Sequence, residues 1–167
     1  MAGSEETAIE RLARLFQEHP AWVEAARLLA PEATSSVYFS HRPRQAWRLE
    51  HREGHTRLLP GASPDPDLVF RFTPAAVDRL AEARGGIGDF ALELFSLALE
   101  ADAAARVEIR VAAPFPRLLA RGYVRLLLAG GPRLAALGAS HGVRTPGALR
   151  RLVRQLRRRG PEEWETA

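Results

Sequence analysis

The chain contains no cysteine, no lysine and a single methionine. Without cysteine there is no disulfide scaffold, no thiol nucleophile and no zinc site built on thiolates. No stretch reaches 18 uninterrupted apolar residues, so no membrane-spanning helix is predicted. The opening residues include Glu5 and Glu6 and no base. A secretory signal needs a basic start followed by an apolar run, so none is expected, and the default expectation is a cytoplasmic protein. Internal repeats and low-complexity tracts are also missing. What is present is 167 residues, of which 46% are apolar. That is the length of one domain and the composition of a globular chain with a buried core.

The charge is informative by position. All 24 basic residues are arginine. Residues 1–143 hold equal numbers of arginines and acids, residues 144–160 hold seven arginines and no acid, and residues 161–167 hold three glutamates. The pI of about 10.8 therefore reports mostly one short C-terminal segment, not a basic face spread over the whole molecule.

Hydrophobic periodicity gives the element order. Ile9, Leu12, Leu15 and Phe16 form one helical stripe over 5–18, and Pro20 opens a second helix to about Ala30. Alternation then replaces helical spacing. Strands are predicted at 36–41, 45–51, 55–59 and 67–72, with Pro43 in the first turn and Glu53-Gly54 in the second. Thr73-Pro74 starts a helix that Gly85-Gly86 stops. The apolar run 88–103 predicts a largely buried helix. Residues 106–111 alternate as a fifth strand. Phe115, Leu118, Leu119, Gly122, Tyr123, Leu126 and Leu127 predict one continuous helix over 115–128, followed by a short helical piece at 133–138. The last helix, 146–159, carries Leu149, Leu152, Val153 and Leu156 on one stripe and arginines on the rest. The order predicts an α+β fold with a five-stranded, mainly antiparallel sheet covered by helices. The chain divides into N-terminal helices at 1–34, an α+β domain at 35–143, and a basic amphipathic helix with an acidic tail at 144–167.

The strands 36–41, 45–51 and 55–59, the turn Leu58-Leu59-Pro60-Gly61 and the strand Pro66-Asp67-Leu68-Val69-Phe70-Arg71-Phe72-Thr73 carry a resemblance. Together with helix 74–83, strand 106–111 and the apolar helix 115–128, they resemble the sterol carrier protein 2-like lipid-binding domains. The likeness covers about residues 35–130. Two departures fall where a lipid tunnel is shaped: Ala112-Ala113-Pro114 replaces a glycine turn, and the apolar stretch 88–103 is longer than in the family. The resemblance implies a sheet and helices enclosing an apolar cavity that binds a sterol, fatty acyl or isoprenoid lipid without chemistry. Bacterial relatives include accessory factors of ubiquinone synthesis. For such a ligand, periodicity selects Phe70, Phe72, Phe90, Leu94, Phe95, Phe115, Leu119 and Tyr123 as the tail-binding set, with Arg117 or Arg121 meeting a head group. From periodicity alone, the same residues can equally fill a solid core, and a one-residue error in strand facing inverts the set.

Catalytic and metal chemistry find little support. His41, His51 and His55 lie on the hairpins, but His-Arg-Glu-Gly-His lacks the zinc-protease spacing and Gly54 marks a turn, so these read as solvent-exposed strand-end histidines. Gly85-Gly86-Ile87-Gly88 follows a helix rather than a strand, which makes it a linker rather than a phosphate loop. Neither Ser96 nor Ser140-His141 completes a triad. No catalytic residue, metal ligand set or cofactor is expected. In the C-terminal helix, Arg150, Arg151, Arg154, Arg157 and Arg158 are candidates for contact with an anionic membrane surface or an acidic protein. The same helix can also pack its stripe on the domain with the arginines solvated. Nucleic acid fits less well, because the basic face lacks aromatic residues for stacking. The alternative function is therefore an interaction module with a filled core.

Overall fold

Thr7 opens the first helix with a reciprocal cap. Its side chain accepts from the Glu10 backbone N–H, and the Glu10 carboxylate accepts from the Thr7 backbone N–H at 2.7 Å. Helix α1 (Ala8–Glu18) then buries Leu12, Leu15 and Phe16. Pro20 sits at the start of α2 (Pro20–Ala26), which buries Trp22 and three alanines and ends four residues short of the expected boundary. The computed structural model describes residues 7–99, 102–145, 147, 148, 150, 151 and 154.

Five strands follow the expected alternation: β1 (Thr34–Phe39), β2 (Arg42–Arg52), β3 (His55–Pro60), β4 (Leu68–Phe72) and β5 (Val107–Val111). Their spatial order is β3-β2-β1-β4-β5. Three of the four pairings are antiparallel; β1 and β4 run parallel, so the sheet is mixed. Pro43 lies inside β2 rather than in the turn. The turn is Ser40-His41, and a register irregularity at Tyr38/Phe39 accommodates the proline at the exposed end of the hairpin.

The register assigns the two faces, since alternate residues point to opposite sides. One face carries Val37, Phe39, Trp47, Leu49, Leu58, Phe70, Phe72, Val107 and Ile109. This face meets the helices: α1 and α2 lie against β3, and α4 (Ile87–Leu99) against β5. Helix α3 (Pro74–Glu82), capped by Thr73, packs on α1, where Arg11 and Asp78 form a 2.7 Å ion pair. The opposite face carries mostly arginine, glutamate and small residues.

Two expectations about helices are corrected. The stretch 115–128 is two helices, α5 (Phe115–Ala120) and α6 (Tyr123–Ala129), separated at Gly122. Gly122 has φ of 88°, and a Cβ there would sit 2.0 Å from the Leu28 carbonyl oxygen. Only glycine permits both the left-handed backbone and that approach. Helix α4 is also not largely buried: Phe90 and Leu97 are, while Leu94 and Phe95 are half-buried and Leu99 is 49% exposed. Helix α7 (Gly131–Ser140) packs on α4 and α6. Of the C-terminal helix, Gly147, Ala148, Arg150, Arg151 and Arg154 are described and helical; Arg157, Arg158 and the acidic tail lie outside the described residues. Among the described residues no helix is long and apolar enough to cross a membrane.

Candidate functional site

The covered face of the sheet does not carry one continuous core. A larger cluster joins α1, α2, α3 and α4 to Val37, Phe39, Leu49, Phe72 and Val107. A smaller one joins Leu29, Ala33, Val111, Ala113, Leu118 and Tyr123. Between and beside them, Trp47, Leu58, Phe70 and Ile109 on the sheet and Leu94 on α4 pack against the first cluster but are only half-buried. Leu68 and Leu126 do the same at the second. Trp47, Leu68 and Phe70 belong to interior strands and point toward the helices, which are the positions a filled core covers first. These partly covered apolar side chains on the helix-facing side of the sheet and on α4 are together called the apolar seam. Within it Phe70 lies opposite Val37 and Ile109 and is stacked on Phe72 with ring centroids 5.8 Å apart.

One end of the covered face is closed by a charged latch. Asp67, just before β4, is fully buried. Its Oδ1 accepts from Arg117 Nε and Arg121 Nη1, each at 2.7 Å, and its Oδ2 accepts from the Thr34 backbone N–H at 3.1 Å and the Tyr123 hydroxyl at 3.3 Å. Its own carbonyl accepts from the Ala112 and Ala113 amides. One residue therefore ties the starts of β1 and β4, the end of β5, and helices α5 and α6 together, the β5 link through its backbone carbonyl and the others through its carboxylate. Arg117 also grips the Asp65 carboxylate and carbonyl, both at 2.7 Å. The hydrogen bonds to Asp65 and Asp67 raise its already high pKa. Burial raises the Tyr123 hydroxyl well above the ordinary range, so it stays a neutral donor.

A second buried polar chain lies under α2. Trp22 Nε1 donates to Thr56 Oγ1 at 3.0 Å, and Thr56 Oγ1 lies 3.0 Å from His51 Nδ1. Indole can only donate, so Thr56 Oγ1 accepts from Trp22, while the direction of its bond to His51 Nδ1 follows the imidazole tautomer. Burial holds the His51 pKa down to about 4, and the imidazole is neutral. This overturns the expectation of a solvent-exposed histidine: His51 is 5% exposed, whereas His41 and His55 are indeed exposed. Among the described residues no three His, Asp or Glu side chains are grouped as a metal site.

The residues expected to bind a lipid tail fall in different environments. Phe70 and Leu94 line the seam, and Phe95 is half-buried on α4. Phe72 packs fully buried against Phe39, and Phe90 packs against His19 and Trp22 in the large cluster. Tyr123 belongs to the Asp67 latch, and Leu119 is 53% exposed. Phe115 is half-buried beneath Arg150, whose guanidinium carbon lies 5.2 Å from the ring centroid. Arg117 and Arg121 are held by Asp67. Arg151 and Arg154 are exposed.

A solved structure titled "UbiJ-SCP2 Ubiquinone synthesis protein" is similar to this chain, with 15% identity and a TM-score of 0.41, covering 72% of this chain and 89% of that one. No family model and no curated protein matches. The α+β fold itself rests on the strand order and register above. The order of helices, three-stranded meander, β4, α3, α4, β5 and closing helices is the one the sterol-carrier resemblance implies.

Two parts of this arrangement were missed by periodicity. Trp47, Leu58 and Ile109 lie inside the expected strands, but partial cover by distant helices leaves no local signature. Asp67 had a usable signal: an acid at the mouth of an apolar strand, with Arg117 and Arg121 one helical turn apart and able to reach a single point.

Proposed function

We propose that this chain binds the apolar part of a small amphiphile along the seam between the sheet and α4. The observation that carries the reading is the half-burial of Trp47, Leu68 and Phe70 on interior strands. Each 100 Å² of apolar surface that a tail removes from water contributes about 2.5 kcal/mol. Flexible or branched tails of fatty acyl or isoprenoid type suit a seam bordered by leucine, isoleucine and aromatic side chains. The resemblance to sterol-carrier domains agrees with this chemistry.

The reading is of binding without catalysis. It is supported by the internal bonding of the most deeply buried titratable groups: Asp67 binds Arg117, Arg121 and Tyr123, and His51 is bonded to Thr56. A second reading, an interaction module acting through its C-terminal helix, is favoured by Leu119 and Leu128, 53% and 76% exposed, and by the exposed Arg150, Arg151 and Arg154. Titration with a fluorescent fatty acid separates the two. Saturable binding that Phe70→Asp abolishes and that survives deletion of residues 144–167 supports the amphiphile reading. No saturable binding by the parent chain overturns it.

A further inference from the structure

The neutral body of the chain conceals a separation of charge. The five strands together carry seven arginines and two glutamates, while α1 to α4 carry three arginines and seven acids. The register places Arg48, Arg52, Arg57, Arg71 and Arg110 on the face of the sheet opposite the helices, with Glu50 and Glu108. Glu50 pairs with Arg48 at 2.7 Å and Glu108 with Arg71 at 2.6 Å. Arg52, Arg57 and Arg110 have no acidic partner among the described residues. Arg110 is half-buried, and its Nε is enclosed without a hydrogen-bond acceptor.

From this separation we infer that the arginine-bearing face of the sheet docks on an anionic lipid bilayer on either side of the 61–66 loop that crosses it, with the acidic helices turned away. The inference stands on charge and is independent of the amphiphile reading. The arginines spread in both directions over the face. Arg48, Ser36, Val69 and Arg110 form one cross-strand row; its middle, Ser36 and Val69, is buried, with the Ser63 backbone N–H donating to Ser36 Oγ, and Arg48 and Arg110 flank it about 14 Å apart at the backbone. Arg48 and Arg52 are about 13 Å apart along β2, and Arg57 lies opposite Glu50 between them. A nucleic acid presents phosphates at fixed, closer spacing along a line. Lipid head groups diffuse and can gather beneath an irregular two-dimensional pattern of guanidinium groups. Tyr38 is the one aromatic residue that the register places on this face, too few for a base-stacking platform. Half-buried Leu59 and Tyr38 among the arginines suit the head-group boundary of a bilayer.

The test is co-sedimentation of the full chain with vesicles of phosphatidylglycerol and phosphatidylcholine in equal parts, against vesicles of phosphatidylcholine alone. The parent is expected to bind only the anionic vesicles, more tightly at low salt. The triple variant Arg52→Gln, Arg57→Gln, Arg110→Gln is expected to lose affinity on the order of a hundredfold. The triple lysine variant keeps binding within about threefold, because the charge remains. Urea unfolding midpoints near the parent value show that both variants fold. Three results each overturn the inference: no preference of the parent for anionic vesicles, unchanged binding by the glutamine variant, or tighter binding of the parent to a DNA duplex or single-stranded RNA at the same salt. Loss of vesicle binding on changing Arg150, Arg151 and Arg154 to glutamine, with the sheet variant still bound, overturns it in favour of the C-terminal helix.

Discussion

Asp67→Asn removes one negative charge from the point where β1, β4, α5 and α6 meet. The asparagine oxygen can still accept from Arg117 and Arg121, but as a neutral acceptor. A hydrogen bond to a charged group contributes about 1.5–3 kcal/mol and a neutral one about 0.5–1.5. The two 2.7 Å guanidinium contacts together then lose about 2 kcal/mol. The amide nitrogen replaces Oδ2, which accepts from the Thr34 N–H, and sets a donor against a donor. Leaving that amide unsatisfied costs about 1–3 kcal/mol more. The sum, about 3–5 kcal/mol, agrees with the usual cost of breaking a buried ion pair. Asp65→Asn is the control. Asp65 is 75% exposed, and its loss is expected to cost less than about 1 kcal/mol. Urea unfolding followed by tryptophan fluorescence measures both. For a chain of this size the Asp67 variant should melt roughly 10 °C lower. An Asp67→Asn variant within about 1 kcal/mol of the parent refutes the argument that this carboxylate latches α5 and α6 to the sheet.

Lowering the pH should destabilise the fold through His51. Its pKa is about 4 in the native state against 6.5 when unfolded, so between those values the unfolded chain binds more protons. The contribution, about 3 kcal/mol, is fully present above pH 6.5 and is lost as pH falls through 6.5 toward about 4. Urea midpoints across that window check it, and His51→Gln should flatten this part of the profile. Gly122→Ala combines left-handed strain with a clash against the Leu28 carbonyl and is expected to cost about 2–5 kcal/mol. Gly54→Ala, at φ of 77° with nothing within 4 Å of the added Cβ, isolates the strain alone at about 1 kcal/mol; equal costs for the two would sink the close-approach argument. A bound amphiphile should change the fluorescence of Trp47, and Trp47→Phe should remove that part of the response while Trp22 remains buried.

Much of the fold is legible along the chain because local rules suffice for it. Thr7 and Glu10, Thr73 and Pro74, and the alternation of Leu68, Phe70 and Phe72 each mark an element without reference to any other. Misreadings occur where a distant partner decides the outcome. Gly122 fits a helical stripe, yet the Leu28 carbonyl and the positive φ break the helix there. Pro43 reads as a turn, but β2 runs on through it at an exposed sheet end. His51 sits two residues before a hairpin turn and looks solvated until α2 brings Trp22 over Thr56. The run on α4 looks like a buried helix because it is apolar on most sides, yet only Phe90 and Leu97 are buried although β5, α2, α3, α6 and α7 all meet it.

Native mass spectrometry of freshly purified protein, followed by denaturing extraction, tests amphiphile binding most directly. A co-purifying amphiphile in near-stoichiometric amount, absent from Phe70→Asp and from Ile109→Asp, is the expected result. An unliganded mass for the parent chain that stays unliganded after incubation with fatty acyl and isoprenoid amphiphiles would contradict it.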